Sequence, residues 1–389
     1  MDLARTPTIG GFAEEVSTLA KAPSRPRGVL HLLDTQTVDS KAFRADWEAL
    51  ARQCAEPNPF FEAWFTLPSF EQFADSDAYK IAAYWVGGRL TGLMPIKHSN
   101  DYYGHGLPYV GTWLHDHSFC GSPLVTKGQE KGFWKALVSC LDQTPGQALF
   151  LHLPALPEGG ALDNALVAVL AEMDRASAVV ERSSRAMLAS NLSPEEYLAE
   201  AMSAKKRKEL RRQKNRLSEF GELSFERLEG AECIEPWIEQ YLTLEAAGWK
   251  GVAGSALKSK PASYAFFADA MYSAARAGKL ERLALRLDGK PIAMLANFIA
   301  APGAFSFKTA FDEDYARFSP GLLLQIENLD LLNRQDIAWT DSCAVEGHSM
   351  IERIWREKRA FVSRNVAIGG SLRRLTARAL MAYETRVWN

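Results

Sequence analysis

Cysteine is scarce: the 389 residues hold five, Cys54, Cys120, Cys140, Cys233 and Cys343. They are odd in number, scattered and without CxxC spacing, which speaks against a disulfide framework and a structural zinc site. A reducing, cytoplasmic setting is expected, with no metal. Long apolar runs are missing too: nothing reaches the roughly 18 consecutive apolar residues of a membrane span. The leader MDLARTPTIGGFAEEVSTLAKAPSRPRGVL has acids and prolines where a secretion signal needs an unbroken apolar core. Excess charge of one sign is also lacking, since 45 Lys and Arg face 47 Asp and Glu for a net charge of -2. That total argues against a wholly basic nucleic-acid binder. What is present is an ordinary globular composition, 47% hydrophobic and 24% charged, in a length that fits one large or two ordinary domains.

Residues 1–27 read as a polar leader, because Pro23, Arg25, Pro26 and Arg27 discourage regular structure before the apolar run Val29 to Leu33. Strand-forming residues on either side of Gly87-Gly88 predict a hairpin, and Leu283 to Leu287, Asp288-Gly289 and Pro291 to Ala296 repeat that design. Placing Gly88 on Gly289 gives an offset of 201 residues. Each hairpin leads into aromatic-rich strand material and a Ser-Pro step, Ser122-Pro123 and Ser319-Pro320. The pattern suggests two duplicate halves, although hairpins are common enough to recur without duplication.

A boundary is expected near residue 190. Ser193-Pro194-Glu195-Glu196 carries the signature of a capped helix start, and the helical pattern runs to Gly221 with a break near Ser203. Inside it, residues 205–216 hold eight basic side chains and one acid. This +7 leaves the rest of the chain near -9, so the small total hides a strong separation of charge. A solvated helix face explains such a run, and so does attraction for phosphates on a cofactor, a lipid headgroup or RNA.

The segment from Phe305 to Leu324 is the most informative. An aromatic strand passes through the polar loop Asp312 to Phe318 into a helix with Leu322, Ile326 and Leu329 on one face. Ser319 fits the N-cap, Pro320 the first helical position and Gly321 the second. The unpaired N–H groups of such a first turn attract anions, and Gly321 removes a side chain that would keep a phosphate away. The helix dipole adds only about 0.3–1 kcal/mol, so Arg317 is needed as a nearby cation.

Taken together, the basic helix, Leu244-Glu245-Ala246-Ala247-Gly248-Trp249-Lys250-Gly251, the strand pair at Asp288-Gly289 and the run from Phe311-Asp312 to Ser319-Pro320-Gly321 resemble the CelD-like branch of GNAT acyltransferases. The resemblance covers roughly residues 190–365, and the Gly88 hairpin with Met94-Pro95-Ile96 resembles that branch's N-terminal half. It implies an α/β (α+β) fold of tandem GNAT-like acyl-CoA N-acyltransferase domains with mixed central sheets, as in the related FemAB-type transferases. The corresponding units are 28–190, expected to be degenerate because Leu124 follows Ser122-Pro123 where the second half has Gly321, and 191–370, followed by an amphipathic helix over 371–389.

The resemblance further implies acetyl-CoA or another acyl-CoA as co-substrate. Its pyrophosphate maps to Arg317, Ser319, Gly321 and Leu322, and its thioester to the strand from Lys308 to Ala310. An amine acceptor must lose a proton, for which Asp312, Glu245 and His348 are candidates. Asp312 ends the strand, where a plain helix cap is the alternative. Glu245 lies one helical turn before Trp249, a spacing that core packing by Trp249 also explains. His348 suits protonation of the leaving thiolate. Many CelD-like members carry a Tyr-Lys pair where this chain has Gly347-His348-Ser349-Met350-Ile351 and then Trp355, so the acceptor side departs from its family.

Cys343 reads as a buried thiol, His115-Asp116-His117 with Cys120 as a loop lacking a second ligand pair, and the arginine-rich C-terminus as a packing helix able to touch an anionic membrane. The sequence is thus read as an acyl-CoA-dependent N-acyltransferase acting in envelope or exopolysaccharide metabolism. The alternatives are a FemAB-like enzyme using aminoacyl-tRNA and a non-catalytic scaffold for anionic partners.

Overall fold

The computed structural model describes residues 28–74 and 78–387; the leader expected over 1–27 lies outside them. Among the described residues thirteen strands form one mixed sheet. They are β1 (Val29–Asp34), β2 (Tyr79–Val86), β3 (Arg89–Ser99), β4 (Tyr109–Thr112), β5 (Leu124–Val125), β6 (Phe150–Pro157), β7 (Ser177–Leu188), β8 (Leu223–Glu229), β9 (Leu280–Leu287), β10 (Lys290–Ala300), β11 (Gly303–Phe311), β12 (Trp339–Asp341) and β13 (Glu357–Ala367). The α-helices are α1 (Lys41–Ala51), α2 (Ala63–Phe73), α3 (Glu130–Gln143), α4 (Ala161–Glu172), α5 (Pro194–Ala201), α6 (Ala204–Leu217), α7 (Ile234–Ala247), α8 (Trp249–Val252), α9 (Pro261–Arg276), α10 (Pro320–Glu327) and α11 (Ser371–Val387). Among the described residues no helix is long and apolar enough to cross a membrane.

The two hairpins match residue for residue. β2 and β3 become β9 and β10 when 201 is added to their limits. Both turns place two residues at positive φ, Gly87-Gly88 and Asp288-Gly289, the conformation that lets a two-residue turn follow the strand twist. In both, the register slips by one residue at the same place: Thr91 is skipped between Tyr84↔Gly92 and Trp85↔Leu90, and Ile292 between Leu285↔Ala293 and Arg286↔Pro291. A bulge carried over at a constant offset is a specific mark of duplication.

The match ends after the hairpins. Ser122-Pro123 does not start a helix: Leu124 and Val125 form β5, which pairs with Leu93 and Gly92 of β3, and α3 begins only at Glu130. The crowding expected at Leu124 therefore concerns a strand, not a helix start. The capping box is as expected, with Ser193 Oγ accepting from Glu196 N and Glu196 accepting from Ser193 N, and the helical run breaks between α5 and α6 at Met202-Ser203.

The strand order is β1-β2-β3-β4-β6-β13-β7-β12-β11-β10-β9-β8, with β5 beside β3. Within each half the strands run antiparallel until a single parallel pair, β4 with β6 and β11 with β12. The last strands then cross over. β7 follows β6 in the chain but pairs with β12, and β13 follows β12 but pairs with β6. We propose that the units 28–190 and 191–370 are duplicates that have exchanged these strands, each closing the sheet edge of the other. α2 and α9 pack together across the same junction. Beneath them the rings of Phe60, Phe65, Phe298, Phe305 and Phe307 form one wall, with Phe298 and Phe307 4.3 Å apart.

Asp341, fully buried at the end of β12, fixes the exchange. Its carboxylate accepts two hydrogen bonds from Arg185 of β7, at 2.5 and 2.8 Å, and one from Arg359 of β13 at 2.9 Å. Burial alone would raise its pKa, but the two guanidiniums hold it below the usual carboxylate range. Removing one member of a buried ion cluster leaves unpaired charge behind, at a cost of about 3–5 kcal/mol. Asp341→Asn should therefore lower stability by about that amount, measured by urea unfolding at neutral pH. In the native protein this contribution is present above the unfolded-state value of about 3.9 and lost as pH falls through the depressed folded value. An unchanged unfolding midpoint in Asp341→Asn would refute the assignment.

Candidate functional site

The parallel pair β11 and β12 meets only at Gly303↔Trp339, Ala304↔Thr340 and Phe305↔Asp341. β11 continues to Phe311, so from Ser306 onward its edge toward β12 has no strand partner. On its other edge β10 stays paired to Phe311, with one slip: Lys308 faces Ala296 and Ser306 faces Asn297, leaving Phe307 as the extra residue of a bulge. The result is a wedge whose wall is unpaired backbone.

After Phe311 the chain makes the 3₁₀ helix Glu313–Phe318 and enters α10 through Ser319. The helix start is where it was expected, but its cap differs. Ser319 adopts φ 55° and ψ 50°, and its side chain makes no capping bond. Leu323 N donates to Ser319 O at 3.0 Å, whereas the N–H groups of Gly321 and Leu322, both buried, find no partner among the described residues. Unpaired N–H groups at a helix start attract anions. The absent side chain of Gly321 would meet Phe311 and Met350 at 3.1 Å, so close packing, not only room for a phosphate, requires glycine there. Arg317 lies over the rings of Phe318 and Phe220, at 4.7 and 5.5 Å.

Below the wedge, Lys308 projects from β11 toward the rings of Phe307 and Phe119, at 5.1 and 5.8 Å. Phe119 belongs to a loop of the N-terminal half, and Arg185 holds its carbonyl at 2.6 Å. Burial, with Lys250 nearby, pushes Lys308 down to about 8. His115 and His117 of the same loop are driven to about 3, first by burial and then by Lys308. Both are therefore neutral. His115 contacts Ser69 Oγ at 3.0 Å, His117 stacks on Phe266, and Nδ1 of His117 is buried without a partner. Among the described residues no group of His, Cys, Asp and Glu is arranged to hold a metal.

The three catalytic candidates have different surroundings. Asp312 caps the 3₁₀ helix through Asp314 N at 3.1 Å and sits 3.5 Å from Lys290. Glu245 is buried; one oxygen takes Lys250 Nζ at 2.7 Å and the other Leu257 N at 2.9 Å. α7 ends at Ala247, Gly248 is extended and Trp249 opens a new helix, 61% exposed. Core packing by Trp249, and one helix carrying it with Glu245, are thus both corrected. Both residues do line a cleft with Lys250, Thr309, Phe311 and Glu313, against the open part of β11. His348 is half-buried beyond β12, its Nδ1 without a partner. Cys343 is buried and its thiol lies well above the usual range, chiefly through burial.

Residues 204–346 match the acetyltransferase (GNAT) domain family. That stretch is similar to a GNAT domain. Its solved structural relatives extend the fold over both halves. FemX aligns with a TM-score of 0.55 at 9% identity, covering 84% of this chain and 96% of FemX. The C-terminal domain of a putative lysylphosphatidylglycerol synthetase from Agrobacterium fabrum aligns with a TM-score of 0.50 at 13% identity, covering 85% and 95%. At such identities the likeness concerns the fold. No curated protein matches the sequence.

Sequence reasoning missed Lys308 as a desolvated cation, the two neutral histidines and the clamp on Phe119. All depend on residues from both halves meeting in space. The same packing predicts thiol chemistry. Cys233, exposed, should react rapidly with Ellman's reagent in the native protein, and Cys120 and Cys343, both buried, only after unfolding; rapid native modification of either, located by mass spectrometry, would contradict this arrangement.

Proposed function

We propose that the protein is an N-acyltransferase that moves an acyl group from acyl-CoA, most simply acetyl-CoA, to an amine. The observation that carries this reading is the pair of buried, unpartnered N–H groups of Gly321 and Leu322 at the head of α10, beside a wedge opened by the splay of β11 and β12. A pyrophosphate would receive those N–H groups, with Ser319 beside it and Arg317 as the neighbouring cation. The pantetheine arm would follow the unpaired edge of β11, bringing the thioester to the bulge at Phe307 and Lys308. In the N-terminal half Ser122-Pro123 leads into β5 and not into a helix, and we assign that half a supporting role.

In this reading the amine nitrogen attacks the thioester carbonyl carbon, and negative charge gathers on the carbonyl oxygen beside protonated Lys308. Collapse breaks the C–S bond. We assign protonation of the departing thiolate to His348, and acceptance of the amine proton to Asp312 or Glu245. Both carboxylates are already hydrogen-bonded, so Asp312→Asn and Glu245→Gln separate proton acceptance from loop and helix support. The acceptor would enter the cleft between the halves. The scarce, unpaired cysteines favour a cytoplasmic setting, and the CelD-like resemblance favours envelope or exopolysaccharide chemistry.

A second reading, an aminoacyl donor carried on tRNA, is favoured by one feature. α6 exposes Lys205, Lys206, Lys208, Arg211, Arg212 and Arg216 beside the 3₁₀ helix that leads to α10. Steeply salt-dependent tRNA binding would support that donor.

The test uses the pure protein with acetyl-CoA and a panel of amines. CoA should raise the melting temperature, and Arg317→Ala, at an exposed position, should reduce the rise while the protein stays folded. Turnover should fall as pH rises through about 8, where Lys308 loses its proton. Lys308→Arg, which stays charged, should shift that limb upward, and Lys308→Met should reduce kcat about 10²-fold, as for loss of one oxyanion donor. No thermal shift with any acyl-CoA would remove the acyl-CoA reading.

A further inference from the structure

α11 is apolar on two opposite sides. Its inner side packs Ala377 and Met381 against Tyr102 and Phe150. Its outer side exposes Leu372, Leu375 and Tyr383, by 79%, 63% and 70%, together with Ala379 and Ala382. At about 100° per residue, positions 372, 375, 379 and 383 fall within an arc of roughly 80°. Scattered surface leucines need no explanation, but a stripe along three helical turns does.

The charges of the helix are sorted in the same way. Its one acid, Glu384, is turned inward, accepting from Tyr102 Oη at 2.7 Å and Asn365 Nδ2 at 3.1 Å. Arg373 is likewise engaged, donating to Ala148 O at 3.0 Å. By the same count Arg378 lies about 60° from the exposed stripe and Arg374 about 100°, on the same flank, while Arg386 falls within it. None of these three side chains has a hydrogen bond or ion pair among the described residues. The outer face is therefore leucine and tyrosine, with arginines on one flank, Thr376 on the other and no acid.

We propose that α11 is an interfacial helix that docks the protein on an anionic bilayer, with Leu372, Leu375 and Tyr383 entering the headgroup boundary and Arg374, Arg378 and Arg386 meeting lipid phosphates. A second copy of the chain is a poorer occupant, because a two-fold contact through this stripe would bring equal positive borders together. The inward bonds of Glu384 and Arg373 fasten the helix to β13 and to the loop before β6, so docking would orient the whole sheet. This proposal does not rest on the acyl-transfer reading.

The experiment is co-sedimentation of the full-length protein with vesicles of phosphatidylcholine alone or with about a third phosphatidylglycerol. Binding should require the anionic lipid and weaken with salt. Arg374→Gln and Arg378→Gln should each reduce it, by roughly fivefold per arginine. Leu372→Asp with Leu375→Asp should reduce it at least tenfold at an unchanged melting temperature, since both positions are exposed. Lys205→Gln with Lys208→Gln on α6 should leave it intact. The proposal is overturned by failure to pellet with anionic vesicles, by full binding of the leucine variant, by loss of binding through the α6 variant alone, or by a dimer in light scattering that the leucine variant dissolves.

Discussion

Asp341, held between Arg185 and Arg359, is the contact on which the rest of the molecule depends. It sits where β12, β7 and β13 come together, which is where each half gives its last strand to the other. A buried carboxylate is costly unless its partners are supplied, and here β7 supplies one guanidinium and β13 the other. Neither half alone could meet that requirement. The same Arg185 also fixes the Phe119 carbonyl, so the ion cluster that joins the halves also sets the loop facing Lys308. Stability and site geometry share one side chain.

The aromatic wall supports this arrangement by a different kind of force. Phe60 and Phe65 from one half meet Phe298, Phe305 and Phe307 from the other edge to face. Ring pairs of this kind add about 0.5–1.5 kcal/mol each beyond the area they bury, and they exclude water from the inner side of the bulge at Phe307. Lys308 follows directly on that bulge, so its ammonium is poorly hydrated. Its depressed pKa is a consequence of how the halves pack, not of any neighbour in sequence.

What the sequence made legible was local. The hairpin offset of 201 came from turn chemistry, and the structure repeats it down to the skipped residues Thr91 and Ile292. The Ser193 box and the Pro320 helix start were legible for the same reason, because caps and turns are written within a few residues. The exchange of β7 and β13 was not, since nothing in either strand names a partner more than 150 residues away. Ser122-Pro123 misled because a Ser-Pro step signals a chain that leaves a strand, and both a helix and a second short strand satisfy it. Trp249 misled because an i to i+4 spacing holds only if the helix continues, and Gly248 ends it.

The electrostatics of the cleft then follow from the exchange. One cation, Lys308, faces two histidines that burial and its own charge keep neutral, while the carboxylate of Glu245 is already occupied by Lys250. In the proposed reaction, Lys308, with no carboxylate bonded to it among the described residues, would stabilise negative charge that develops on the carbonyl oxygen more than it stabilises a neutral thioester. That difference is what catalysis needs. Had Glu245 been paired with Lys308 instead, the same residues would form a stable ion pair with nothing left to offer a developing oxyanion. The position of Lys250, one residue beyond the helix break at Gly248 and Trp249, is what prevents this, so the break that spoiled the sequence-based spacing is also what leaves Lys308 free.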